Sequence, residues 1–136
     1  MELDPRGQRF AAAVTSVVII AVLITGSPWL ALAQTAVFAL TAINPRRGPY
    51  ALLFRSLILP RVGPPPEREP AAPVRFAQTV GLFFLAVATI GYFAGDPAVG
   101  LTFAGFGLIA AFLNAAFGLC LGCELYLALR RLRART

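Results

Sequence analysis

Long stretches with almost no charged residues constrain the folding of this chain more than any other feature. Four such stretches cover residues 10–25, 30–43, 76–94 and 98–129. Apolar residues make up 58% of the chain and charged residues 13%, against about 45–50% and about 25% in typical soluble proteins. So few polar side chains cannot cover the surface of a small water-soluble globule. A lipid bilayer must therefore be the solvent for much of the chain, which excludes a secreted disulfide scaffold, a disordered tail and a nucleic-acid-binding domain.

These stretches predict an all-α membrane protein of a single domain with four transmembrane helices. A spanning helix needs about 20 apolar residues, with a range of roughly 17–25. The third and fourth stretches meet this length, whereas the first two, of about 15 residues each, need their flanking residues to cross. Gly26-Ser27-Pro28 and Gly95-Asp96-Pro97 are turn signals, so the four helices form two hairpins. The strict alternation of a transmembrane β-barrel is absent.

The segment between the two hairpins, residues 44–75, is rich in proline and arginine. Within it, Tyr50–Leu59 (YALLFRSLIL) is bounded by prolines and predicts a short helix. This piece is largely apolar, with Arg55 and Ser56 on one side, so we expect it to lie in the membrane interface. The other arginines predicted as interface anchors for anionic lipid are Arg46, Arg47 and Arg61.

The twelve basic residues are all arginines, and their positions predict the orientation in the membrane. With four spans, the N-terminus, the central loop and the C-terminus share one side, and all twelve arginines lie in these three regions. By the positive-inside rule that side is cytoplasmic, so the net charge of +6 reports topology and requires no acidic partner. We expect a multi-pass protein of the bacterial inner membrane with both termini in the cytoplasm.

A secretory signal peptide is the alternative interpretation of the first segment. Ala31-Leu32-Ala33 resembles the small-residue site at which such signals are cleaved. Cleavage there would destroy the first hairpin, and Glu2 and Asp4 make a poor positively charged N-terminal region. We therefore expect the first segment to be retained as a transmembrane helix.

The order of landmarks along the chain suggests an internal duplication. Arg9-Phe10-Ala11 recurs as Arg75-Phe76-Ala77, and each hairpin has its Gly-x-Pro turn. A tyrosine-led segment follows each hairpin, YALLFR at Tyr50 and YLALRR at Tyr126. Two parallel copies of this kind are related by an axis along the membrane normal, and chance similarity of apolar strings is the alternative. The predicted parts are a first repeat at about 4–59, a linker at about 60–74 and a second repeat at about 75–133.

Cys120 and Cys123, the only cysteines, form the one motif with a clear chemical potential. In a continuous helix they would be neighbours on one face, and strain in a bond between them would favour a cycling dithiol over a permanent disulfide. A position late in a helix beside Glu124 opposes thiolate formation, whereas a helix break at Gly118 and Gly122 would reverse this effect. The sequence does not decide between these arrangements. Simple packing of two small side chains, and a zinc site pooled by a dimer, are the alternatives.

Other polar side chains lie within or next to the apolar stretches. Glu124 is costly to bury and is therefore a candidate for a role in catalysis, although Arg130 or Arg131 can pair with it. Gln34, Gln78 and Asn114 are amides at membrane depth, for which we favour hydrogen bonds between helices over contact with a substrate. The fourth stretch also carries small residues that allow close helix packing, namely Gly100, Gly105, Gly107 and Gly118.

The sequence resembles a bacterial membrane-protein family catalogued as domain of unknown function 4395. The run NAAFGLCLGCELYL, from Asn114 to Leu127, is the most specific part, and DPRGQRFAAAV and RRGPYALLFRSLILPRVGPP also resemble the family. The likeness extends from Asp4 to Arg131. Because the family has no established activity, the resemblance transfers no catalytic roles. It implies an association with thioredoxin-like and sulfurtransferase proteins, and hence thiol or persulfide handling at Cys120 and Cys123.

Three functional hypotheses remain open on the sequence. In the first, the Cys120/Cys123 dithiol exchanges electrons or sulfane sulfur with a soluble thiol partner, with Cys120 as the more buried, resolving thiol. In the second, the chain is an oligomeric transporter or channel unit that passes a small solute along the repeat interface, past Gln78 and Asn114. In the third, it is a non-catalytic assembly subunit. We expect no cofactor, no bound metal and no nucleic-acid partner under any of them.

Overall fold

The computed structural model describes residues 2–3, 5–44, 48–63, 69–117 and 121–135. These residues form seven helical segments and one antiparallel pairing of two-residue strands, in which β1 (Glu2–Leu3) lies beside β2 (Glu69–Pro70). The strand pairing ties the N-terminus to the start of the second half of the chain. The helices are α1 (Pro5–Thr25), α2 (Pro28–Ile43), α3 (Pro49–Leu57), α4 (Leu59–Val62), α5 (Ala71–Phe93), α6 (Pro97–Phe117) and α7 (Leu121–Arg135).

Three of these helices, α1, α5 and α6, are long and apolar enough to cross a membrane. The first apolar stretch reaches spanning length because α1 begins at Pro5, where proline is favoured in the first helical turn. The second stretch remains short, since α2 has 16 residues and rises only about 24 Å at 1.5 Å per residue. The structure therefore gives an all-α protein with three helices of spanning length and a fourth, shorter apolar helix.

The structure describes the fourth apolar stretch in two helical parts, on either side of residues that it does not describe. Helix α6 ends at Phe117 and α7 begins at Leu121, with residues 118–120 outside the described part of the chain. Helix α7 packs mainly against α5, and the ring of Tyr126 lies 5.7 Å from that of Phe76.

The short central helix is present, with bounds that differ from the predicted ones. Helix α3 begins at Pro49 and ends at Leu57, and a one-turn helix that contains Pro60 follows it. Phe54 is buried against α1, where its ring lies 5.8 Å from that of Phe10. Pro60 does not stop this segment, because proline is tolerated in the first turn of the next helix.

Each long helix of the first hairpin packs mainly against one helix of the second, α1 against α6 and α2 against α5. Helix α5 also contacts α6. Their shared core consists of buried side chains from all four helices, namely Ile19, Val22, Ala31, Phe38, Leu85, Ala88 and Ala104. The Thr35 and Thr89 hydroxyl oxygens, 3.1 Å apart, add a hydrogen bond between α2 and α5. Such a bond keeps polar groups satisfied inside an apolar bundle.

The two hairpin turns lie at the same end of the bundle. The ring of Trp29, just after the first turn, meets the edge of Phe93, just before the second, at 5.2 Å. Each turn has a glycine with positive φ, Gly26 at 63° and Gly95 at 78°, a conformation that glycine adopts without strain. Ser27 and Asp96 then accept the hydrogen bond of the backbone N–H three residues on, which caps α2 and α6.

The outer surface of the bundle is apolar over most of its length. Ile24 is 80% exposed and Ile90 is 67% exposed, and they belong to a belt of exposed large side chains on all four long helices. Contiguous apolar surface of this extent is rare on soluble monomers and marks contact with lipid or protein. The belt fits a bilayer around α1, α5 and α6.

Glycines allow the closest approach of α5 and α6, near the second turn. A Cβ atom at Gly91 would lie 2.9 Å from the backbone nitrogen of Gly100, and one at Gly100 would lie 2.7 Å from the ring of Tyr92. Gly107 faces Leu85 in the same way, whereas a Cβ at Gly105 would meet no described atom within 4 Å. Of the small residues predicted for this helix face, Gly100 and Gly107 make the close contacts and Gly105 does not.

We predict that Gly91→Ala destabilises the protein while Gly105→Ala does not. The added methyl at position 91 meets a backbone atom that cannot move aside, and overpacking of this kind costs about 1–3 kcal/mol. Thermal unfolding of the purified full chain in one detergent measures both variants against the wild type. An unchanged melting temperature for Gly91→Ala would show that α5 and α6 do not approach as closely as described.

Candidate functional site

A cavity of about 420 Å³ lies between the long helices. Helices α1, α2, α5 and α6 form its walls, and Tyr50 of α3 and Cys123 of α7 line it as well. Its size falls within the range of roughly 300–1,000 Å³ that small-molecule sites occupy. The cavity therefore has room for a ligand as well as for water.

Two arginines fix the end of the bundle at which the cavity lies. Arg9, which lines the cavity, donates to the carbonyl oxygens of Ala115 and Ala116 at 3.2 and 3.5 Å, at the end of α6. Arg75 Nε donates to the Ala42 carbonyl at 3.0 Å, at the end of α2. The last carbonyls of a helix have no partner within it, so each arginine closes a helix end opposite the two hairpin turns.

The cavity wall combines apolar side chains with hydrogen-bond donors. Val37, Phe38, Phe84 and Phe106 contribute much of the apolar surface. Neither aspartate nor glutamate occurs among the described residues of the wall. The polar and sulfur-bearing residues of the wall are Gln8, Arg9, Thr15, Thr41, Tyr50, Gln78, Asn114 and Cys123.

Cys123 lies in the first turn of α7, at the cavity wall. It is half-buried, packs against the buried Val74 of α5, and is disulfide-bonded. Cys120 lies outside the described residues. The sequence left open whether a new helix begins near Gly122, and residues 118–120, which decide this, lie outside the described part of the chain.

A buried hydrogen bond joins α2 to the short helix α3. The Tyr50 hydroxyl donates to Gln34 Oε1 at 2.6 Å, and Gln34 is only 1% exposed. Burial raises the pKa of the Tyr50 phenol, so its hydroxyl stays protonated at neutral pH. Gln34 Nε2 is buried and has no hydrogen-bond partner among the described residues. An unpartnered donor of this kind is unusual in a native structure.

The other predicted site residues fall into three groups. Gln78 and Asn114 line the cavity, on α5 and α6. Glu124, Arg55 and Arg61 are exposed at the cavity end of the bundle, the first of them in the first turn of α7. Two of the predicted residues lie outside the described part of the chain, Arg46 and Arg47.

The predicted pairing of Glu124 with an arginine of α7 has a competitor in the structure. The Arg130 guanidinium lies over the ring of Tyr126 at 5.9 Å from its centre, within the range of a cation–π contact. Tyr126 thus contacts both Arg130 and Phe76, which anchors α7 on α5. Within the described ranges, no group of three or more potential metal ligands comes together.

Sequence reasoning did not single out Arg9, Arg75 or the Tyr50 hydroxyl as parts of a site. In the sequence, Arg9 and Arg75 serve only as landmarks of the repeat and as two of the twelve arginines that predict the orientation. An arginine near the start of an apolar helix is a signal for this role, because it can donate to the unpaired carbonyl groups at the end of a neighbouring helix. The partner of the Tyr50 hydroxyl had no local signal, since Gln34 is 16 residues away.

Comparison with known proteins yields one relationship. The family model described as Domain of unknown function (DUF4395) matches residues 3–131, nearly the whole chain. No curated protein and no solved structure matches the chain significantly.

We predict that Tyr50→Phe lowers the free energy of unfolding, whereas Tyr50→Phe combined with Gln34→Leu restores much of it. The single change leaves the buried Gln34 amide without its hydrogen bond, which costs about 1–3 kcal/mol, while removal of both partners is far less costly. Thermal unfolding of the four proteins in one detergent gives the coupling energy. Tyr92→Phe is the control, because the buried Tyr92 hydroxyl has no partner among the described residues. A coupling near zero would contradict the Tyr50–Gln34 bond.

Proposed function

This chain belongs to the DUF4395 family, and we propose that it is a four-span membrane protein whose Cys120/Cys123 pair exchanges electrons or sulfur with a soluble thiol protein. The observation that carries the proposal is the position of Cys123, disulfide-bonded, in the first turn of a helix and on the wall of a ligand-sized cavity. A lone packing role for the two cysteines gives no reason for that position. The partner is of the thioredoxin-like or sulfurtransferase class.

In the proposed topology, α1, α2, α5 and α6 all span the inner membrane of a bacterium. Helix α2 packs along α5, and the two hairpin turns share one end of the bundle, which supports a full crossing by the short helix. Arg9 and Arg75 act at the opposite end. By the positive-inside rule that end, with both termini and the central loop, faces the cytoplasm, and Arg55 and Arg61 anchor the interface there.

In the proposed duplication, α1–α3 correspond to α5–α7. The ring pairs Phe10–Phe54 and Phe76–Tyr126 support it, since their centroids lie 5.8 and 5.7 Å apart and both pairs are inclined at 44°. Phe54 and Tyr126 are each the sixth residue of their helix. The sequence suggested that the segments at Tyr50 and Tyr126 correspond. With the ring pairs aligned, Tyr126 corresponds instead to Phe54, one helical turn after Tyr50.

The cavity wall supports the same correspondence. When Arg9 is aligned with Arg75, wall residues of α1 fall opposite wall residues of α5. When Gly26 is aligned with Gly95, wall residues of α2 likewise fall opposite wall residues of α6. The cavity thus lies on the axis between the proposed repeats. The matched wall residues are Ala11 and Ala77, Ala12 and Gln78, Thr15 and Gly81, Val37 and Phe106, Phe38 and Gly107, and Thr41 and Ala110.

Cys123 breaks this symmetry. It is the third residue of α7, and the third residue of α3 is Ala51, which also lines the cavity. A sulfur atom is therefore present on one side of the axis and a methyl group on the other. In the proposed function, the second repeat carries the chemistry and the first supplies Tyr50 and the matching wall.

The proposed exchange proceeds through a mixed disulfide. A thiolate of the reduced partner attacks one sulfur of the Cys120–Cys123 disulfide, whose S–S bond breaks as a new S–S bond forms. The second partner thiolate then attacks the mixed disulfide. The partner leaves as a disulfide, and the Cys120/Cys123 pair retains two electrons and takes up two protons.

We predict that the two thiols cycle together in native membranes. After mild reduction, a maleimide–polyethylene glycol reagent should add two labels per chain, and after oxidation with diamide it should add none. A membrane-impermeant maleimide should react in inverted vesicles and not in right-side-out vesicles, because the pair faces the cytoplasm. Cys120→Ser should trap Cys123 in a mixed disulfide with the soluble partner, visible on a non-reducing gel.

Ala51→Ser is the matched control, since it adds a hydroxyl at the corresponding position of the first repeat and should leave the labelling unchanged. If the labels never respond to oxidant and reductant, and the double Cys→Ser variant behaves as the wild type, the dithiol function is wrong. Labelling from the outer face alone would contradict the orientation while leaving the dithiol in place.

A small-solute transporter is the second candidate, favoured by the cavity between the repeats and by the amides of Gln78 and Asn114 on its wall. In this case solute flux into proteoliposomes would survive Cys120→Ser/Cys123→Ser and fail in Asn114→Leu. If flux is lost when both cysteines are replaced, or if the wild type shows no flux, the transporter function is excluded.

A further inference from the structure

We propose that the cavity binds the head of a membrane-soluble quinone, which accepts two electrons from the Cys120/Cys123 dithiol. This inference rests on the proposed thiol function and adds the electron acceptor that the function requires. It names one occupant for the cavity, and three features of the wall point to it: its hydrogen-bond donors, its aromatic rings and the position of Cys123.

The polar groups of the wall include hydrogen-bond donors that a ligand with acceptor oxygens can use. Arg9 carries donors alone, and the amides of Gln8, Gln78 and Asn114 carry two N–H groups each. No carboxylate occurs among the described wall residues. A quinone head has two carbonyl acceptors and no donor, so it is complementary to this wall.

The Tyr50–Gln34 pair can supply a further donor. The phenol hydroxyl is committed to Gln34 Oε1, while Gln34 Nε2 has no partner among the described residues. If the amide turns end for end, Nε2 donates to the Tyr50 oxygen and the phenol hydroxyl becomes free to donate to a carbonyl in the cavity. After this rotation the Gln34 amide oxygen, rather than its N–H, has no partner. A protein interior tolerates an unpaired carbonyl oxygen better than an unpaired N–H.

The apolar part of the wall suits a flat ring. Phe38, Phe84 and Phe106 line the cavity, and aromatic rings prefer offset or edge-to-face contact with one another. A cavity of about 150 Å³ already binds benzene, so 420 Å³ holds a substituted ring with the start of a tail. The exposed apolar belt of the bundle places the protein in the phase in which such quinones dissolve.

The proposed reaction balances. In the dithiol two S–H bonds break and one S–S bond forms, which releases two electrons and two protons. The quinone takes up both, and its two carbonyl groups become the two hydroxyl groups of a hydroquinone. Hydrogen bonds from Tyr50 and Arg9 to the carbonyl oxygens stabilise the negative charge that develops there. The soluble partner then reduces the disulfide again, so electrons pass from cytoplasmic thiols to the quinone.

The binding arm of the test uses the full-length Cys120→Ser/Cys123→Ser variant in nanodiscs of synthetic phosphatidylcholine, so that no redox step takes place. Decylubiquinone should raise the melting temperature by mass action. The analogue in which both ring carbonyls are replaced by methoxy groups should raise it less, because it offers weaker acceptors. An equal effect of the two compounds would mean that apolar filling alone occurs and would overturn the quinone assignment.

The turnover arm uses the wild type with dithiothreitol as electron donor and follows decylubiquinone reduction by its ultraviolet absorbance. We expect reduction by the wild type and none above background by the double Cys→Ser variant. Ala11→Leu places a larger side chain on the cavity wall and should slow reduction by about tenfold or more, because a displaced ring loses its alignment with the thiols. Ala13→Leu is the matched control on the exposed side of the same helix and should behave as the wild type.

Ala77→Leu, the counterpart of Ala11→Leu on α5, provides a second variant if the first does not fold. Thiols that cycle in the alkylation assay without any quinone reduction would overturn this inference and leave the dithiol function standing. Quinone reduction that persists in the double Cys→Ser variant would overturn it as well. Thiols that never cycle would remove the proposed function itself.

Discussion

The bundle depends on one constraint, which is that polar groups inside an apolar environment must find partners within the protein. Hydroxyl side chains meet it locally, as Thr89 does by donating to the Leu85 carbonyl four residues back. The ends of helices meet it through neighbours, since Arg9 closes α6 and Arg75 closes α2. Each of these arginines lies near the start of one helix and donates to the end of another, which fixes the pairs α1–α6 and α2–α5 at the end where the cavity forms.

The two ends of the bundle differ for a physical reason. At the turn end, Gly91 and Gly100 lack the side chains that would hold α5 and α6 apart, and Trp29 packs on Phe93. At the other end, the short helices α3 and α7 pack on α1 and α5 through Phe54 and Tyr126. The long helices there enclose a cavity instead of filling the space. A ligand site at this end lies beside the arginines and beside Cys123.

Gln34 is one of two places among the described residues where the constraint is incompletely met, the Tyr92 hydroxyl being the other. Its oxygen is satisfied by Tyr50 while its nitrogen has no partner among the described residues. Because an unpartnered buried donor costs about 1–3 kcal/mol, such a group is retained only where something else benefits. Its neighbour Tyr50 lines the cavity, which connects this cost to the site and not to the packing of the core.

The sequence by itself determined the apolar helices, both Gly-x-Pro turns, the short central helix and the family. These features are local, because hydropathy, proline and glycine act within a few residues. The start of α1 at Pro5 had only a weak signal. The tertiary structure alone decided that Cys123 lies on a cavity wall, that Arg9 reaches the end of α6, and that Tyr50 bonds Gln34. These depend on how the helices cross and rotate against one another, which is set by contacts between residues distant in the chain.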